Sequence, residues 1–356
     1  MTQETTLDIE TFARRIPKIE LHLHLEGAVR PATFVELARK NHVDIPPHGE
    51  IAELYRYDNL PDFLKIYDLV SRSIRDADDF HRVTYEMLES CADSGARYVE
   101  FFFSAHAHQA HGVAYPTMLT GILAAMRDFE TDRGVPSRLI PAHSRELGLQ
   151  RGLEFLDMVL EHRSDEIIGI GLDYNEAPFP PAPFQPLFER AADAGLRRTA
   201  HAGESGPAEN VRDSLAVLGV DRIDHGYHIV DDAELVAACV EQGTFFTCCP
   251  STTTGTTIWR DLSAPDHAIK QMIDAGLNVT INSDDPPMFR TDLANEFVLV
   301  ARDMKLSPEQ LKTCALTSID ASWLDDSVKR DWRAAWTAEI DAMIADLDTA
   351  PEALSA

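Results

Sequence analysis

Two imidazoles one residue apart, His22 and His24, lie in the run Ile19-Glu20-Leu21-His22-Leu23-His24-Leu25-Glu26-Gly27. In an extended strand alternate residues face opposite ways. Ile19, Leu21 and Leu23 then go to one side, and Glu20, His22 and His24 to the other. Two ring nitrogens would share one space, and neutral imidazole suits zinc without a further proton loss near neutral pH. Polar groups of the same kind recur downstream: His201 and Glu204 in Thr199-Ala200-His201-Ala202-Gly203-Glu204, His225 in Ile223-Asp224-His225-Gly226, and Asp284 and Asp285 in Asn282-Ser283-Asp284-Asp285-Pro286. The direct assignment is one zinc ion held by His22, His24, His201 and Asp284, with one position kept for water. Bound zinc lowers the pKa of water from about 15.7 to about 7, so the expected chemistry is hydrolysis. His225 and Asp284 would take and orient the proton of that water. Glu204, three residues after a ligand, is the candidate general acid, with a pKa that burial would raise.

These residues are far apart in the chain, so the fold must bring them together. Eight short apolar or β-branched runs read as strands, over residues 19–24, 97–103, 138–143, 167–172, 196–201, 222–225, 244–249 and 278–284. Helical periodicity falls between them over 31–40, 62–73, 77–93, 115–131, 150–162, 183–194, 207–218, 231–242 and 265–275. Eight alternations imply a parallel sheet covered by helices, and a closed (β/α)8 TIM barrel satisfies them with the fewest assumptions. An open doubly wound sheet is the runner-up, but no Gly-x-Gly-x-x-Gly follows an early strand. In such a barrel the chemistry sits at the C-terminal ends of strands, where the first, fifth, sixth and eighth would deliver the residues above. Residues 41–93 are too long for one connection and read as extra helices capping the barrel mouth. The segment after Ser307 reads as charged helices through Trp332 and Trp336, with a tail that frays over 350–356. Without an internal repeat or a linker-like stretch, residues 1–356 read as a single domain.

Acidic side chains number 59 against 32 basic, a formal net charge of -27. Such a surface repels nucleic acid and anionic lipid, which leaves a small molecule as the expected partner. Residues 1–16 contain no apolar core of signal-peptide length and no apolar run reaches membrane-spanning length, so a cytoplasmic protein is expected. The five cysteines, with no Cys-x-x-Cys spacing and with Cys248 and Cys249 adjacent, are expected to be reduced thiols. The oligomeric state is left open.

The four motifs, Leu21 to Gly27, His201-Ala202-Gly203-Glu204, Arg222-Ile223-Asp224-His225-Gly226 and Asn282 to Pro286, together resemble the adenosine deaminase family of metal-dependent amidohydrolases. The likeness continues through Ala294-Asn295-Glu296-Phe297 and Ala321-Ser322-Trp323, spanning about residues 17–330. It implies hydrolytic deamination of a 6-aminopurine: an activated water adds at C6, Glu204 protonates N1, His225 assists the water, and ammonia leaves. The substrate contacts it implies are His24, Glu26, Tyr174 and Asp285, with Asp285 at N7 and Glu26 at a sugar hydroxyl. The zinc deaminases acting on bases in polynucleotides pair His-x-Glu with Pro-Cys-x-x-Cys. His24-Leu25-Glu26 fits the first half, but Cys248-Cys249-Pro250 has the wrong order for the second.

Three departures bear on the substrate. Where adenosine-acting members carry Asp-Leu-Ala-Gly-x-Glu, this chain reads Gly171-Leu172-Asp173-Tyr174-Asn175-Glu176, and a tyrosine in the glycine's place would shrink the pocket or stack on a base. Cys249-Pro250-Ser251-Thr252-Thr253 lacks the family's asparagine amide. The stretch 101–113, with His106, His108 and His111, resembles the branch that acts on free adenine; on composition it reads as a solvated loop at the barrel rim, a second metal site being the alternative. Substrates from adenosine to adenine or a larger substituted adenine therefore stay open, as does iron or manganese in place of zinc. The alternatives are another zinc-dependent hydrolysis, of a cyclic amide or ester, and a binding protein that kept the metal site.

Overall fold

A computed structural model describes residues 8–47, 49–56 and 60–348. Eight strands follow in sequence order: β1 (Lys18–Glu20), β2 (Ala96–Phe103), β3 (Ser137–Ser144), β4 (Gly169–Asp173), β5 (Arg197–Ala202), β6 (Arg222–His225), β7 (Phe245–Cys248) and β8 (Asn278–Ile281). Each pairs in parallel with the next. A strand covered on both faces reads as a near-continuous apolar run. β2, Ala-Arg-Tyr-Val-Glu-Phe-Phe-Phe, is one, buried everywhere except Arg97. The result is the (β/α)8 barrel expected from the sequence.

Closure comes from segments just beyond the first and last strands. The runs expected at 19–24 and 278–284 stop as ladders at Glu20 and Ile281. The ladder is irregular between Lys18 and Glu20, and Asp284 turns into the left-handed region at φ 61°. The chain stays extended beyond β1, where Leu23 bridges Asp284 and His24 bridges Phe102. The His24 N–H donates to the Asp284 carbonyl at 2.9 Å, and the Asp284 N–H to the His22 carbonyl at 2.9 Å. Backbone bonds of candidate ligand residues thus join the two ends of the sheet.

Of the expected capping helices, Leu60–Ser73 does cover the mouth, placing Leu64 and Tyr67 in the wall of the central cavity. The helix Ala77–Asp93 does not. It lies on the barrel's flank against Tyr115–Arg133 and β2. The approach is so close that a Cβ at Gly121 would meet the Ala77 carbonyl oxygen at 2.2 Å. The helix Pro308–Ala321 packs on β8 and β1, and Asp326–Asp348 packs on it, with Trp332 and Trp336 stacked at 5.6 Å. The tail expected to fray at 350–356 lies outside the described residues, as do residues 1–7.

Candidate active site

His22, His24, His201 and Asp284 meet at the mouth. His24 Nε2 and His201 Nε2 are 3.1 Å apart, and Asp284 Oδ1 lies 3.3 Å from His22 Nε2 and 3.4 Å from His24 Nε2. The three histidines and Asp284 are all buried. His22 Nε2 has no hydrogen-bond partner, a costly state for a buried nitrogen unless something else binds it. Three convergent imidazole nitrogens and one carboxylate oxygen match the donor types of a divalent metal site, so the residues fit the ion. Burial holds His24 down to about 4, and burial with the neighbouring imidazoles holds His201 well below its ordinary value, so both are neutral, the ligating form. A second grouping of possible donors joins His22 and Asp284 to His225 and Cys249.

Asp224, to which sequence reasoning assigned no role, stands behind the imidazoles. Its two oxygens lie 3.7 Å from His22 Nδ1 and 3.5 Å from His201 Nδ1, and accept from the Thr247 and Thr199 hydroxyls at 3.0 and 2.7 Å. Carboxylates behind metal-binding imidazoles fix ring orientation. The only sequence signal was its place beside His225 at the end of β6. Thr252, in the segment that lacks the family's amide, donates its hydroxyl to Asp284 Oδ2 at 2.8 Å.

Glu204 Oε2 faces His225 Nε2 at 3.7 Å, and its Oε1 accepts from the Thr256 hydroxyl at 3.0 Å. Burial raises the Glu204 pKa, as a proton donor near neutrality requires. The turn that presents it is held by Glu176, a second residue given no role from sequence. The Glu176 carboxylate accepts from the backbone N–H groups of Gly203, Glu204, Ser205 and Gly206 and from the Asn210 amide. Asp285 lines the same cavity with Oδ1 buried and unpartnered. It fits only because residue 27 is glycine: a Cβ there would sit 1.6 Å from Asp285 Oδ1. Tyr174, His225 and Asp284 all hold positive φ, at 68°, 69° and 61°, strain of the sort that gathers at functional sites.

Glu26 departs from expectation. Its Oε2 accepts from the Tyr67 hydroxyl at 3.0 Å, while Oε1 accepts from the Ser104 N–H at 3.0 Å and faces His108 Nε2 at 2.9 Å. The carboxylate is fully buried and both oxygens already have partners, so a sugar hydroxyl would have to compete with Tyr67, Ser104 and His108 for it. The 101–113 stretch is likewise no solvated loop. It continues from β2 into a short helix, Ala105–Gln109, that buries His108 against Glu26 and sets the His106 ring 4.9 Å from that of Tyr174. His111 faces Asp68 at 3.4 Å, so the three histidines diverge and do not form a second metal cluster. Asp173, the last residue of β4, lines the cavity with Oδ1 buried and unpartnered, and Oδ2 accepts from the Ser104 hydroxyl at 3.4 Å. Burial pushes its carboxyl up to about 7. These groups share one cavity that opens at the barrel mouth.

Known proteins resemble this chain over most of its length. The sequence profile described as Adenosine deaminase matches residues 17–336. A Vibrio parahaemolyticus protein named adenine deaminase is 36% identical over 327 residues, 91% of this chain and 96% of that one. A Burkholderia ambifaria amidohydrolase solved with bound zinc superposes at a TM-score of 0.90 with 36% identity, covering 97% of each chain. The adenine deaminase of Arthrobacter aurescens superposes at 0.84 with 34% identity, covering 93% of this chain and 99% of that one. With a matching profile over most of its length and relatives of this identity spanning it, the chain belongs to the adenosine deaminase family.

Proposed function

We propose that this protein is a zinc-dependent adenine deaminase: adenine and water give hypoxanthine and ammonia, in a single catalytic domain working in the cytoplasm. The observation that carries the reading is the meeting of His22, His24, His201 and Asp284 beside Glu204 in one cavity. Free base is favoured over nucleoside because Glu26, the family's sugar contact, is occupied by Tyr67, Ser104 and His108. Relatives named adenine deaminase and a zinc-bound neighbour support the substrate and the metal. The five cysteines are free and buried, which suits a reducing compartment. No helix among the described residues is long and apolar enough to cross a membrane.

His22, His24, His201 and Asp284 would hold the ion, which when bound supplies Lewis acidity and lowers the pKa of water. His225 faces this site and accepts the proton of the attacking water, whose oxygen bonds to C6. Glu204 gives its proton to N1, so that negative charge does not build on the ring as C6 becomes tetrahedral. The C6–N6 bond then breaks as His225 passes the proton it took from water to the departing amine, the C6 hydroxyl returns a proton to Glu204 as the carbonyl forms, and ammonia leaves. Asp285 faces N7, its pKa raised by burial and by Asp284 so that it can donate a proton to that nitrogen.

Removing the metal with a chelator should abolish ammonia release from adenine, and zinc should restore it. Purified protein with one zinc per chain that released ammonia from adenosine but not adenine would overturn the base assignment. Release from neither would overturn the deaminase reading.

A further inference from the structure

We infer that Asp173 selects the free base by accepting a hydrogen bond from the purine N9–H, an assignment that rests on the deaminase reading above. A purine placed with C6 at the metal and with N1 and N7 at Glu204 and Asp285 turns its opposite edge, N3 and N9, toward the remaining wall. Glu26 is not among the residues lining the cavity, and both its oxygens are engaged by Tyr67, Ser104 and His108. Asp173 is different: the residue lines the cavity, is 2% exposed, and has a buried Oδ1 without a partner. Leaving such an acceptor unpaired is costly, and a ligand donor is what relieves it.

The surroundings fix Asp173 for that contact. Ser104 holds Oδ2, and buried Arg145 donates to the Asp173 carbonyl at 3.1 Å and also to the His201 carbonyl, tying the end of β4 to the metal-bearing end of β5. Chemistry then separates the substrates. Free adenine carries a hydrogen on its imidazole ring, whereas a nucleoside carries carbon at N9. Adenosine would therefore leave Asp173 Oδ1 unpaired and also press its sugar into the Tyr67–Glu26–His108 cluster. Sites built to bond a substrate N–H reject the analogue lacking it by factors of about 10⁴ or more, far beyond what an apolar pocket achieves against one methyl group.

The test compares adenine with 9-methyladenine in the zinc-loaded wild type, Asp173→Ala and Asp173→Asn. The wild type should favour adenine by about 10⁴-fold or more in kcat/KM. Asp173→Ala should lose most of that preference through adenine alone, with 9-methyladenine little changed, and Asp173→Asn should recover part because its amide oxygen still accepts. In parallel, calorimetric binding of hypoxanthine and 9-methylhypoxanthine, which need no turnover, should show the same loss of discrimination. Equal losses on both purines in Asp173→Ala, or an unchanged preference, would overturn the assignment. If wild type released no ammonia from adenine, the deaminase reading would fall, and the binding comparison would still decide the role of Asp173.

Discussion

Both ends of this barrel bury charge, and they treat it in opposite ways. At the end where strands begin, Arg222 of β6 is fully buried, pairs with Glu100 of β2, donates to the Leu21 carbonyl at 3.1 Å and lies 4.1 Å over the Trp323 ring. Its Nε alone lacks a partner, and the other Glu100 oxygen accepts from the Trp323 N–H. Buried Lys18 at the start of β1 donates to the Arg14 and Ile16 carbonyls at 2.8 and 2.7 Å. At the end where strands finish, His22 Nε2, Asp173 Oδ1 and Asp285 Oδ1 are buried without partners, and three neighbouring residues hold positive φ. The lower end uses charge to fix strands in place; the upper end keeps unsatisfied groups that a ligand completes.

The sharpest way to break that contrast is at Glu204. Glu204→Gln should lower kcat on adenine by about 10²- to 10⁴-fold while zinc content and melting temperature hold. Because burial raises the Glu204 pKa above its ordinary 4.5, the acid form persists to higher pH and kcat should fall on the alkaline side as it deprotonates. That limb should vanish from the residual activity of the glutamine variant. A glutamine variant with near-normal kcat, or a limb that stayed, would remove Glu204 from the proton-donating role.

At the lower end the expectations reverse. Arg222→Ala strands the Glu100 carboxylate in the interior and should destabilise the fold by about 3–5 kcal/mol in chemical denaturation, with the kcat of the folded fraction little changed. Pairing Arg222→Met with Glu100→Gln should recover much of that loss, because it removes both charges together. A double variant as unstable as Arg222→Ala would mean that the pair matters through shape alone.

At Lys18 the expected effect depends on pH. Burial lowers its folded pKa to about 7 from an ordinary 10.5. Between those values the unfolded chain holds a proton that the folded one does not, so stability contributed here rises with pH, by at most about 1.4 kcal/mol per unit. The melting temperature of wild type relative to Lys18→Met should therefore climb from pH 7 to pH 10. An unchanged difference would show that Lys18 keeps its charge in the fold.

Much of this was legible in the sequence. The eightfold alternation gave the barrel, and His22, His24, His201, Glu204, His225, Asp284 and Asp285 all lie where strand-end placement put them. Patterns of that kind survive in one dimension because each strand carries its own alternation and each motif its own spacing. Asp224 and Glu176 carry no sign of their roles in the sequence, since nothing in their neighbours says which imidazoles or N–H groups a carboxylate will meet.

The environment of Glu26 was decided only by the tertiary structure. Its partners Tyr67, Ser104 and His108 lie 41, 78 and 82 residues away. Composition made the stretch holding His108 look like a solvated loop, and only the packing of its short helix against Leu60–Ser73 and β3 buries it. Residue types name the groups able to bind metal, proton or purine. Which of those groups are left unpaired, and so free to bind anything, depends on every neighbour that three-dimensional packing brings within about 3 Å.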